Sequence, residues 1–84
     1  MALYGEKAIG TFLKQSRRVW LSARRMALGA MATSDDELDQ AKLEATIRQL
    51  GEIDVLSVRN NRGALEYRRK TIATYTARHA LLGG

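Results

Sequence analysis

From Glu6 onward the apolar positions Ile9, Phe12, Leu13, Val19, Trp20, Ala23, Met26, Ala27 and Ala30 recur mostly at spacings of three and four. That spacing lays one apolar stripe along an amphipathic helix and predicts helix over about 6–30. Gly10 weakens its first turn by about 1 kcal/mol relative to Ala. Leu21 and Leu28 lie off the stripe, seven residues apart, and form a second, narrower apolar line. A helix with two such lines is expected to meet two neighbours, and a partner subunit or another element of the chain is expected to cover Leu21 and Leu28.

Ser34 followed by Asp35, Asp36 and Glu37 reads as a capping box, in which the hydroxyl takes the N3 amide and Glu37 reaches back. A second helix is therefore expected from Ser34 through Leu38, Ala41, Leu43, Ala45, Ile47 and Leu50 to about Gly51. Ile53, Val55, Leu56 and Val58 are rich in β-branched residues, 59–63 have turn composition, and Leu65 and Tyr67 alternate with polar or small neighbours. This predicts a short hairpin, 53–58 paired with 64–68. Ile72, Tyr75, His79 and Leu82 then mark one face of a last helix over about 69–82, with Gly83 as its C-cap. The fold class expected is mainly α, of α+β type, in a single small domain over 1–84: two amphipathic helices, a β-hairpin near 53–68 and a C-terminal helix. The alternative is an all-α three-helix arrangement, in which the second helix continues to about 59 and a third starts after Gly63.

Composition narrows the role. A chain of 84 residues buries only about 60% of its unfolded surface, so its core is small. It has no Cys, which excludes disulfides and Cys-based zinc sites and makes an intracellular setting the default. No apolar run approaches the length of a membrane span, so a soluble protein is expected. With a single His, no nucleophile motif and no glycine-rich phosphate loop, neither catalysis, a small-molecule substrate, a metal nor a cofactor is expected. Binding or assembly remains.

Charge is segregated along the chain. Residues 1–33 carry six cations against Glu6, 6 − 1 = +5; residues 34–54 carry two against seven acids, 2 − 7 = −5; residues 55–84 again carry 6 − 1 = +5. One expectation is that the acidic middle pairs with its flanks, each exposed pair contributing about 0.2–1 kcal/mol. The other is that uncovered basic faces meet nucleic acid, an anionic membrane or an acidic protein.

The paired Arg17-Arg18 and Arg24-Arg25 repeat at seven residues, so on a continuous helix they stack with Lys14 on one side. A row of guanidinium groups suits phosphates or carboxylates. Arg68-Arg69-Lys70 form a second basic cluster at the start of the expected last helix, where cations oppose the helix dipole and call for an anion or a neighbouring subunit. These eight residues are the candidate partner or anion contacts, either as such or as solvated faces. Arg17, Arg18, Arg24 and Arg25 are expected to pair with the acids of 35–54 or with an acidic partner. Leu21 and Leu28 are the candidate oligomer interface. Trp20, Tyr67 and Tyr75 fit either a core or base stacking.

The acid-capped helix ending Ile47-Arg48-Gln49-Leu50-Gly51, then Val55-Leu56-Ser57-Val58, a polar turn, Ala64-Leu65-Glu66-Tyr67-Arg68 and a closing helix are similar to the small phage head-to-tail joining proteins of the gpW-like group. The resemblance spans 34–82 and rests on order and hydrophobic pattern. It implies a helix, a β-hairpin and a helix, in a subunit that forms a ring at the portal of a capsid. The function expected first is thus a non-enzymatic structural or assembly protein, an oligomeric subunit of a phage-like particle. Its partners would be itself and other assembly proteins, in the virion or the host cytoplasm. The alternatives are a small basic adaptor or inhibitor of a nucleic-acid-handling complex, and a helical module that binds nucleic acid directly.

Overall fold

The computed structural model describes residues 3–70. Their order is α1 (Glu6–Gln15), β1 (Leu21–Ser22), α2 (Ala23–Thr33), α3 (Gln40–Glu52), β2 (Leu56–Asn61) and β3 (Ala64–Arg69). The strands form one antiparallel sheet in the order β1-β3-β2. With the described chain about 50% helical and 21% strand, the fold is α+β. Both the mainly α expectation and its all-α alternative are therefore corrected, because a three-stranded sheet stands where they allow a hairpin or no strands.

The largest correction is to the helix expected over 6–30. It is two helices separated by 16–22, with Ser16 and Ser22 both extended at their caps. Ser22 starts α2 by accepting the Arg25 amide at 3.1 Å, so one of the orphan donors of the first turn finds a partner without the residues before it. Val19 and Trp20 favour extended backbone, and Leu21 and Ser22 pair with Tyr67 and Glu66 of β3. A continuous helix would leave its stripe waiting for another molecule. Broken here, the stripe folds on itself: Ile9 on α1 meets Ala23, Met26, Ala27 and Ala30 on α2, and all are buried. The helices approach closely at Gly29, where an added Cβ would lie 2.4 Å from the Phe12 ring.

The capping box is corrected as well. Ser34 ends α2, and its hydroxyl accepts the Asp36 amide in a local turn. The cap of α3 is Asp39, whose Oδ1 takes the Lys42 amide at 3.1 Å. A long-range contact favours the later start, since the Asp39 amide donates to the Tyr4 hydroxyl at 2.8 Å. Thr46, the one buried polar residue of the described core, is satisfied by donating to the Tyr4 carbonyl at 2.7 Å. Leu43, Ile47 and Leu50 carry α3 into the same cluster.

The hairpin expected near 53–68 is present with longer strands, 56–61 against 64–69, in the register Val58 to Tyr67 and Asn61 to Ala64. Its turn is only Arg62 and Gly63, both at positive φ (55 and 85), the two-residue form whose twist matches the strands. The Asn60 carboxamide accepts the Gly63 amide at 2.8 Å and holds the turn. Leu56 and Tyr67 face the helices and complete the core. Arg69 closes β3 and so does not begin a helix; the rest of the helix expected over 69–82 lies outside the described residues.

Two stability outcomes follow. Asp39→Ala should cost about 1 kcal/mol in urea unfolding, while Ser34→Ala stays within about 0.5 kcal/mol; the reverse order would restore the earlier cap. Gly29→Ala should cost about 1–3 kcal/mol, because the Phe12 ring must move.

A basic face on the three-stranded sheet

Side chains alternate across a strand, so the register sorts them onto two faces. Leu56, Val58, Tyr67 and Leu21 share the face toward the helices. Ser57, Arg59, Glu66, Arg68 and Ser22 share the other, where no described strand residue is buried. Trp20, one residue before β1, lies on this outer face: the guanidinium carbons of Arg68 and Arg59 sit 4.2 and 4.7 Å from its ring centroid. Such contacts spread the arginines over a flat platform and restrict their rotamers before any ligand arrives.

Arg18 joins the group from the α1–β1 connection. Its Nε donates to the Arg69 carbonyl at 3.3 Å, tying the connection to the sheet. Arg68 is pushed below the ordinary arginine value, first by loss of hydration and then by the like charges of Arg18 and Arg59. Glu66 is the acid on this face, and it is held by the Arg59 Nε at 2.7 Å. Arg68 Nε and Arg69 Nε are buried without an acceptor among the described residues. Among the described residues three guanidinium groups and one carboxylate thus share the outer face, and the excess of cations suits a phosphate or carboxylate ligand.

Of the eight expected contacts, the structure brings Arg18 and Arg68 together and disperses the rest. Arg17 is exposed on the connection, Lys14 lies in the last turn of α1, and Arg24 and Arg25 are exposed on the first turn of α2, so no single row on one helix exists. Arg69 points to the opposite sheet face, across from Leu56. Lys70 binds Asp54 at 2.7 Å. Arg17, Arg18, Arg24 and Arg25 make no ion pair with the acids of 35–54 among the described residues, which corrects the intrachain half of that expectation and leaves pairing with an acidic partner; Glu44 instead pairs within α3, with Arg48 at 3.3 Å. The two leucines share no stripe: Leu21 packs on the core from β1, and Leu28 is exposed on α2.

Arg59 and the placement of Trp20 were not expected. The signal was present in the alternation of Val19, Trp20, Leu21 and Ser22, which fits a strand as well as a helix. Among the described residues no helix is long and apolar enough to cross a membrane, and no group of three or more acids or histidines could hold a metal. The chain matches no family model, no curated protein sequence and no solved structure. Of the helix–hairpin–helix order that the joining-protein resemblance implies, α3 and the hairpin lie among the described residues and the closing helix does not.

The like charges of Arg18 and Arg59 repel Arg68, and salt screens such repulsion between solvent-accessible groups. Moderate salt should therefore raise the unfolding midpoint of the wild type more than that of Arg68→Gln. An equal rise in both would show that the cluster carries no repulsion.

Proposed function

We propose that the protein is a non-enzymatic binding module whose outer sheet face holds the phosphate backbone of single-stranded nucleic acid. One observation carries this reading: Arg59 and Arg68 lie over the Trp20 ring, Arg18 lies close enough to repel Arg68, and Glu66 is the one acid of the described strand residues on this face. The cations sit on an open β-surface, which suits a splayed strand better than the groove of a duplex, and the Trp20 ring holds two of them, Arg59 and Arg68, in place for a phosphate. Phosphate oxygens on the outer face would offset the like-charge repulsion among Arg18, Arg59 and Arg68. Exposed Arg17, Arg24 and Arg25 would extend the path of positive charge.

A second reading is favoured by a different observation. Ile53, Val55, Val58 and Leu65 are exposed in one region around the hairpin, and apolar surface of this kind marks contact with protein. It supports an oligomeric assembly subunit, as the joining-protein resemblance implies, with itself and other assembly proteins as partners. Both roles fit one small chain, since the basic and apolar surfaces lie on different faces.

Anisotropy of a labelled single-stranded oligonucleotide between about 50 and 200 mM salt tests the first reading. Log affinity should fall linearly with log salt, and Arg59→Gln and Arg68→Gln should each flatten the slope by about 0.7. Trp20→Ala should weaken binding with the slope unchanged. Absence of binding at low salt, or binding that all three variants leave intact, would reject the proposal.

A further inference from the structure

In the sheet order β1-β3-β2, β2 is an edge, and its outward N–H and C=O groups have no strand beside them among the described residues. On the helix-facing side of this edge, α3 stops short of covering the hairpin. Val58 and Leu65 remain 42% and 50% exposed. They line a shallow depression of about 270 Å³ with Arg48, Gly51, Glu52 and Tyr67. Val55, just before the strand, is 51% exposed. An edge strand with apolar residues beside it invites a further strand unless something blocks it; β2 contains no Pro, and its one charged residue, Arg59, is held by Glu66 on the outer face.

We propose that the occupant is a second copy of this chain, joined by antiparallel pairing of β2 with β2 about a two-fold axis near Val58. The inference rests on the assembly reading above and specifies its geometry. Charge argues for self-pairing. Arg48, whose partner within the chain is Glu44 at 3.3 Å, and Glu52 lie one turn apart on α3, carry opposite signs and rim the same depression. A two-fold operation presents each to the other's counterpart, so one patch is its own complement. Centred on Val58, the operation sets valine against valine in the middle and Ser57 against Arg59, and no like charges stand directly opposite. The sheet would grow from three strands to six. Its outer faces would align, doubling the basic surface around Trp20 on one side of the dimer.

The test is sedimentation equilibrium of the full chain over a range of concentrations, with circular dichroism to check folding. The wild type should form a dimer, and Val58→Lys, at an exposed position, should raise its dissociation constant at least tenfold while leaving the fold and oligonucleotide binding by a single copy in place. Arg48→Glu and Glu52→Arg should each weaken the dimer by about two- to thirtyfold, as expected for two symmetric surface pairs. Combining them should restore it. Self-association that Val58→Lys leaves unchanged, or charge variants whose combination is no better than either alone, would overturn the edge pairing while the assembly reading stands. A monomer at all concentrations would overturn both.

Discussion

The pairing of Leu21 with Tyr67 and Ser22 with Glu66 is the constraint on which the other features turn. It is only two residues long, yet it fixes where the chain leaves α1 and enters α2. Without it, 16–22 could complete a long amphipathic helix, and the apolar stripe would need a partner molecule. With it, α1 returns along α2, and Ile9, Met26, Ala27 and Ala30 are buried by the chain itself. The same pairing sets the phase of the alternation, so that Leu21 turns to the core and Trp20 to the outer face. A shift of one residue would exchange them.

Electrostatics follow from that geometry rather than from the order of charges in the chain. Seven acids lie between two basic segments, and simple compensation would join them. The fold instead turns much of the acidic segment toward solvent on the 34–39 connection and α3, with Glu44 and Asp54 taking Arg48 and Lys70. The outer sheet face receives cations from three separate stretches, at Arg18, Arg59 and Arg68, and keeps them close together, two of them over one tryptophan. Crowding of this kind disfavours the free protein slightly and favours any state in which an anion is bound.

The sequence was most legible where one element answers one local signal. The run of β-branched residues before Arg62-Gly63 marked a hairpin, and helix propensity faltered near Gly51, close to the end of α3 at Glu52. It was least legible where tertiary contacts choose between equivalent local options. Val19 to Ser22 suits a helical stripe and a strand alike, and only Tyr67 and Glu66, 46 and 44 positions away by subtraction, decide. Ser34 and Asp39 are both good caps, and the Tyr4 hydroxyl on the Asp39 amide favours the second. The candidate site was half visible for the same reason: Arg18 and Arg68 stood out in basic clusters, while Arg59 looked like part of a turn until the register placed it diagonally across from Arg68.

The central claim is that Trp20 and three arginines from distant positions form one anion-binding surface. Nitrogen–proton correlation spectra of the labelled protein report on the Trp20 indole and on each arginine Nε–H separately, and they can be followed while a short single-stranded oligonucleotide is added. The account predicts that the Trp20, Arg18, Arg59 and Arg68 signals move together, along one binding curve, with the amides of β3 beside them. Shifts confined to α1 and Lys14, or a Trp20 indole that stays still while other signals saturate, would contradict it.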